Sequence, residues 1–392
     1  MTAQQQHSTA SVVIIGGGIQ GLSIAFNLAK LGQRHIRVID AGYFQGGASG
    51  RNGTLIRGGF GSPAWTQLFA HSNRLWSELS ATLGENVMFT PRGYMIVAQT
   101  TATMDRLADM RQLHLDCGLA SEVLSAAQVK AIEPAIRQES IRGAIHLKNG
   151  GVAPHHAVMK GYLAASRRLG VRIDYHCPVM AIETADHRIT AIVTAQEKIS
   201  SDLVVLAAGA YCNEVGQLAD IDIPGFPLRI EAMALEPVRP ILKSAIALPD
   251  SLCYLHQTAR GEIVGGAEVS ERPQVTLKSD LPALAATAHA YAQVFPSFGS
   301  LRILRQWAGM LQATPDWGPL IGQHPDIGNL WLSAGWSYGF AGAPAAGDLL
   351  AKAIVKGDLD PRIQPFAVDR FRRNQPVVES AIVLAPVAGE HA

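Results

Sequence analysis

A run of β-branched residues, Val12-Val13-Ile14-Ile15, breaks into Gly16-Gly17-Gly18-Ile19-Gln20-Gly21 and then into apolar residues at helical spacing from Leu22 to Leu31. A continuous apolar run that gives way to a 3.6-residue period across a glycine turn predicts strand, turn and helix. A second strand, Ile36-Arg37-Val38-Ile39, ends in Asp40. Helical spacing returns from Trp65 to Leu83, carried by Leu68, Phe69, Leu75, Trp76 and Leu79. Val87-Met88-Phe89 and Tyr94-Met95-Ile96-Val97 read as strands, Thr103 to Gly118 as an amphipathic helix, and Gly143 to Leu147 as another strand.

From Gly151 a second unit begins. It has a helix from Pro154 to Leu169 with proline in its first turn, a strand over Val171–Tyr175 and a small meander over Val179–Thr194. A buried strand, Asp202 to Gly209, ends it at a glycine turn. Between 221 and 304 the pattern is strand-rich (Ile230–Leu235, Ile263–Gly265), with one helix over Leu281–Val294. Leu330 to Gly335 is a final strand, followed by a glycine-rich turn and a helix over Ala345–Val355. Strand-glycine-helix character at the start, middle and end predicts an α/β fold: a Rossmann-like domain over 10–85, 145–220 and 325–385, interrupted by a β-rich (α+β) substrate domain over 86–144 and 221–324. Two consecutive nucleotide domains would leave the Leu330–Val355 unit unexplained.

The glycines give the opening unit its chemistry. Gly16 permits the tight turn, Gly18 lets backbone approach a pyrophosphate, and Gly21 lets helix and strand pack closely. The helix N-terminus adds free N–H groups and a positive dipole end, and Asp40 stands where a ribose-binding acid is expected. The spacing alone allows NAD or FAD. With 392 residues the chain suits two domains. A hydrophobic content of 48% and a charged content of 17% describe an ordinary globular interior. A net charge of +1 gives no electrostatic reason to expect nucleic acid or an anionic membrane. Cys117, Cys177, Cys212 and Cys253 are scattered without C-x-x-C, and the histidines show no metal spacing. No apolar stretch reaches membrane-spanning length, and Met1–Ala10 lacks signal-peptide order, so a cytoplasmic location is expected.

The layout, with Gly47–Arg57, Asn86–Gly93 (NVMFTPRG), His155–Tyr162, Asp202–Gly209, Arg305–Gly322 (RQWAGMLQATPDWGPLIG) and Gly335–Gly347, resembles the D-amino-acid-oxidase-like FAD enzymes. Within them it is most similar to the FAD-carrying β subunit of heterotetrameric sarcosine oxidase. The resemblance implies FAD, bound without a covalent link, since Trp307-Ala308-Gly309-Met310 lacks the cysteine that anchors flavin in monomeric relatives. It implies FAD contacts from Gly16, Gly18, Gly21, Asp40, Ser49, Arg51, Asn52, Val179, Gly209, Gly335, Gly339 and Phe340. It also implies oxidation of an amine at the C–H next to nitrogen. Arg57 then occupies the place of an arginine near the substrate carboxylate, a task suited to its bidentate fork; a surface arginine on a polar loop is the other reading. The family places lysine after the phenylalanine, where this chain has Ala341, so Tyr254, Tyr338 or Arg57 takes over, or the substrate differs.

His155 aligns with the histidine that carries covalent FMN against the α subunit in the sarcosine oxidase β subunit. The family's Arg-His-Asp is Pro154-His155-His156 here. A helix N-terminus keeps such an imidazole neutral, and two histidines in a solvated first turn remain the alternative. Three functions follow. The first is a catalytic subunit oxidising a secondary, N-alkyl or cyclic amino acid beside an α-type partner. The second is a self-sufficient D-amino acid or glycine-type oxidase or dehydrogenase. The third is an FAD-holding electron-transfer subunit with an inactive pocket.

Overall fold

The computed structural model of the chain describes residues 6–267 and 275–379. The β-branched run forms the strand Gln6–Ile15, flanked by parallel partners on both edges, Glu197–Leu206 and Ile36–Ile39. Burial on both faces is why these strands read as continuous apolar runs rather than as alternation. The first sheet runs in the order Leu320–Gln323, Leu330–Ala334, Glu197–Leu206, Gln6–Ile15, Ile36–Ile39, Arg172–Asp174. The antiparallel hairpin Val179–Ala185 and Arg188–Thr194 joins Glu197–Leu206 at its N-terminal half. Helices Ile19–Lys30 and Gly339–Lys356 pack side by side on one face, over a core that includes Val12, Ile14, Leu28, Leu349 and Leu350. Val13, Ile15, Ile39, Ile192, Val204 and Leu206 form a second core on the opposite face.

The second sheet runs in the order Ile303–Ala313, Phe226–Leu235, Ile263–Ala267, Cys253–Gln257, Ala245–Leu248, Tyr94–Ala98, Gly143–Leu147, Ser121–Ser125. Its ladders are antiparallel except between Ala245–Leu248 and Tyr94–Ala98. Strict alternation decides its faces. Met95, Met233, Ile246 and Leu255 enter a core with Tyr291 of the helix Leu281–Val294, whereas Tyr94, Ala247, Tyr254 and Ala232 point to the other side, into a cavity. A two-stranded ladder, Leu55–Ile56 with Gly151–Val152, lies in the connections between the sheets.

Several elements differ from the pattern-based expectation. Val87-Met88-Phe89 is irregular: Met88 has φ +56°, and the nearest ladder contact is a bridge from the next residue, Thr90, to Val152. The last helix starts at Gly339 rather than Ala345, because Pro344 is accommodated inside it. Pro154 is the N-cap of the helix His155–Arg168 and not part of its first turn. Sheet membership also places residues that a linear division separates. Gly143–Leu147 lies wholly in the second sheet, so a cut at 145 would split it, and Leu320–Gln323 belongs to the first. Residues 380–385 of the last expected segment lie outside the described residues.

Candidate functional site

The C-terminal ends of the parallel strands converge on the glycine turn. Gly16 has φ +113°, and a Cβ there would stand 2.3 Å from the Ala207 carbonyl oxygen. A Cβ at Gly21 would stand 1.9 Å from the Gly16 carbonyl oxygen. Only glycine meets both demands, so this turn is a cradle built by removing side chains. Asp40 closes it: its carboxylate accepts the Gly17 N–H at 2.6 Å and the Gly42 N–H at 2.7 Å. Ser49 Oγ accepts the Ile19 N–H at 2.9 Å, tying the 48–50 turn to the start of the first helix.

From this cradle a cavity of about 740 Å³ extends between the two sheets. Gly16, Gly18, Asp40, Ser49, Val179 and Gly209 line it towards the first sheet, and Arg51, Asn52, Arg57, Tyr254, Tyr338, Gly339 and Phe340 line the rest. Gly21, Gly335 and His155 do not line it. Gly21 serves the close crossing described above. Gly335, at φ +66°, turns the chain beside Thr314 and donates its N–H to Gln312 Oε1 at 2.9 Å. Asn52 spends its amide on its own loop, donating to the Ser49 carbonyl and accepting from the Thr54 N–H. Arg51 donates to the carbonyls of Gly46 and Ala308, which join the loop to the second sheet.

Arg57 is 2% exposed and follows the short strand Leu55–Ile56. Its guanidinium lies 3.8 Å from the Phe60 ring centroid and 4.4 Å from that of Tyr338, with Tyr94 at 5.9 Å. The reading as a surface arginine on a polar loop is therefore overturned: aromatic faces bury and hold this cation. Behind Phe60, His114 Nε2 meets the Phe60 carbonyl at 2.9 Å and Nδ1 meets Ser121 Oγ at 3.1 Å. Burial pushes the His114 pKa down, and the nearby Arg57 charge adds to that. The turn Gly335–Tyr338 is fixed from behind as well. Gln20 donates to the Gly339 carbonyl at 2.7 Å, and Trp336 Nε1 donates to Ser333 Oγ at 3.0 Å. Ala341 leaves no ammonium here; its carbonyl accepts from Ser72 Oγ and Trp76 Nε1.

The sequence reading missed Tyr94, Phe60 and Thr54. Tyr94 carried a signal, as the one aromatic in a strand of aliphatic residues. Thr54 carried none: it has φ +62°, and its Oγ1 pairs with His256 Nε2 at 2.9 Å. His155 and His156 sit at the N-terminus of their helix, away from the cavity lining. His156 Nδ1 pairs with the Gln45 side-chain amide. The His155 pKa is lowered by burial and by its neighbour, and its Nδ1 is buried without a hydrogen-bond partner. Among the described residues there is no cluster of metal-ligating side chains, and no helix is long and apolar enough to cross a membrane.

A mixed sheet whose central strands are parallel, with a glycine turn at its switch point opening onto a largely apolar cavity with one buried arginine, defines a dinucleotide-binding α/β protein with a small-molecule site. Residues 11–353 match the FAD dependent oxidoreductase family, and the chain belongs to it. Sarcosine oxidase subunit beta of Rhizobium meliloti (strain 1021) is 29% identical over 371 residues, covering 92% of this chain and 88% of that one. The structure of L-proline dehydrogenase from P. horikoshii superposes with a TM-score of 0.90 at 25% identity, over 95% of this chain and all of that one. Glycine oxidase from Geobacillus kaustophilus shares the fold with a TM-score of 0.85. The chain is an FAD-dependent oxidoreductase, and the glycine cradle, where a Cβ at Gly16 or Gly21 would collide with backbone, fits that cofactor.

Proposed function

We propose that the chain oxidises a secondary, N-alkyl or cyclic amino acid of the sarcosine or proline type at the C–H next to nitrogen, giving an imine that hydrolyses. The observation that carries this reading is Arg57, a buried cation presented to an apolar cavity that is continuous with the dinucleotide cradle. Bound FAD supplies the two-electron sink for the hydride that leaves that carbon. Gly16, Gly18, Ser49, Asp40, Val179 and Gly209 would hold its adenylate end. Arg51, Asn52, Gly339 and Phe340 would flank the other end, while Gly21 and Gly335 shape the backbone.

Arg57 binds the substrate carboxylate bidentately, in a site where few waters compete. Tyr254 and Tyr338 form the walls that orient the amine, and the close apolar lining excludes water from the reacting carbon. Anaerobic bleaching of the flavin absorbance by N-methyl or cyclic amino acids tests the reading. Bleaching would also rule out an FAD-holding subunit with an inactive pocket; no bleaching across the series would sink the proposed oxidation.

The likeness to sarcosine oxidase β subunits supports a finer proposal: the chain works in a heteromeric complex with an α-type partner, and FMN binds at His155 on the shared surface. A neutral, half-buried imidazole at a helix N-terminus, outside the cavity, suits attachment to flavin. Peptide mass measurement of the 151–168 region after acid precipitation tests it, and an unmodified peptide from the native complex rules out a covalent link. Pro154 and His156, in place of the family's arginine and aspartate, favour a second reading, a self-sufficient enzyme. A lone chain turning over amino acid at full rate would establish that one.

A further inference from the structure

We infer that the substrate carries one carboxylate and a neutral apolar substituent larger than methyl, seated on the floor that Ala232 and Ala247 leave open beside Tyr254. This rests on the amino-acid oxidation proposed above. The ladder registers place Ala247 opposite Tyr254, Tyr254 opposite Gly266, and Gly266 opposite Ala232. Directly opposed residues share a face of a sheet, so between Ile96, opposite Ala247, and Trp307, opposite Ala232, Tyr254 is the one large side chain in a row with three positions whose side chains stop at Cβ or before it. Ala232, Ala247 and Tyr254 all line the cavity, as does Ile230 two residues from Ala232. Leu252 and Leu277 extend the same lining, so the wall is apolar, with its smallest side chains on either side of Tyr254.

Charge gives the second argument. The charged groups among the described residues lining the cavity are Asp40, Arg51, Arg57 and Glu214. Asp40 is held at the glycine turn, Arg51 is turned onto backbone carbonyls, and Glu214 is exposed on the helix Cys212–Gln217. Arg57 alone stands against Tyr94 and Tyr338, in a cavity that Tyr254 also lines. One substrate carboxylate is matched there. A second carboxylate, or a side-chain ammonium, would be buried without an opposite charge, which is strongly disfavoured. An apolar substituent instead gains from the open floor, by about tenfold or more per methylene in a hydrophobic pocket.

The FAD-loaded protein, reduced anaerobically with sarcosine, N-propylglycine, pipecolate and iminodiacetate, separates the outcomes. N-propylglycine and pipecolate are expected to exceed sarcosine in kcat/KM by about tenfold or more, with iminodiacetate at least as far below sarcosine. Sarcosine matching N-propylglycine, or iminodiacetate matching sarcosine, would overturn the inference while leaving amino-acid oxidation standing. If none of the four reduces the flavin, the oxidation itself fails and this inference with it. Ala247→Leu should lower the N-propylglycine to sarcosine ratio about tenfold, and Ala232→Val makes the same test if the first variant does not fold. An unchanged ratio in a folded variant overturns the seat. A readout independent of turnover is thermal stabilisation by non-oxidisable acids: butyrate should exceed acetate, and succinate should give no gain, the reverse order counting against the inference.

Discussion

The Arg57 guanidinium lies 3.8 Å from the centre of the Phe60 ring, and His114 Nε2 holds the carbonyl of that same Phe60 at 2.9 Å. The cation is thus placed by an aromatic face whose own backbone is anchored to the second sheet through His114 and Ser121. Such a side chain is preorganised for a planar anion. Arg57→Ala is expected to weaken substrate binding by about 10- to 100-fold, the range of a charge-assisted hydrogen bond, while leaving FAD content unchanged. Arg57→Lys should recover only part, because an ammonium lacks the fork. Titration of flavin bleaching against substrate measures both, and an unaltered apparent affinity in Arg57→Ala would show that the carboxylate binds elsewhere.

Gly18 and Gly21 should separate cofactor binding from folding. A Cβ at Gly21 meets the Gly16 carbonyl oxygen at 1.9 Å, whereas one at Gly18 meets only Ser49 Oγ, at 3.1 Å. Gly21→Ala must push helix from strand, at a cost of about 1–3 kcal/mol, and should lower the melting temperature of the apoprotein. Gly18→Ala should leave that temperature nearly unchanged and reduce FAD affinity, because the added methyl intrudes on the cofactor's approach. Equal melting temperatures for the two variants would contradict this division of roles.

The opening unit was legible because its signals are local: a β-branched run, glycines at fixed spacing and an acid at the end of the next strand each follow from neighbours in sequence. Leu281–Val294 and Gly143–Leu147 were equally plain from periodicity and turn residues. Arg57 could be singled out by its place in a recognisable segment, but its burial could not, since Phe60, Tyr94 and Tyr338 come from three separate parts of the chain. The strands Ala245–Leu248, Cys253–Gln257 and Leu320–Gln323 were not legible, because their pairing is fixed by partners elsewhere in the sheets. The irregular path at Val87–Phe89 shows the converse. Its apolar side chains pack beneath the helices, Val87 fully buried and Phe89 against Trp76, without a ladder to make them a strand.

His256 links acid stability to the same loop. Burial pushes its pKa down to about 4, and its Nε2 pairs with Thr54 Oγ1 at 2.9 Å. Arg92 adds a repelling positive charge. The unfolded chain binds a proton on this imidazole below its ordinary pKa near 6.5, and the folded chain does so only below about 4. The neutral group's full contribution is therefore present above pH 6.5 and is lost as pH falls from 6.5 to about 4, a change on the order of 3 kcal/mol. His114, His146, His155 and His324 are also lowered chiefly by burial and act in the same direction. His256→Gln should flatten the melting temperature between pH 4 and 6.5 without abolishing its slope. A slope identical to that of the parent would mean that His256 is not a buried neutral group.

Arg370 and Asp316 test how far the cavity depends on a tie made behind it. Arg370 is 1% exposed, and its guanidinium meets the Asp316 carboxylate through two bonds, 2.8 Å and 2.7 Å. It also donates to the carbonyls of Pro319, Phe366 and Gly318. Asp316 in turn accepts the Val377 N–H at 2.7 Å and the Thr314 hydroxyl at 3.0 Å. Thr314 packs where a Cβ on Gly335 would fall, 2.4 Å from its Cγ2, so the pair supports the turn that leads into Tyr338. Asp316→Leu alone leaves the guanidinium buried without its carboxylate and should cost about 3–5 kcal/mol, with loss of bound FAD. The double variant Asp316→Leu with Arg370→Met removes both charges and should be more stable than Asp316→Leu alone, because burying one unpaired ion costs more than losing the pair. Denaturant melts of the two variants decide it: a double variant at or below the stability of the single one would mean that the pair's surrounding hydrogen bonds, rather than its charges, hold the turn.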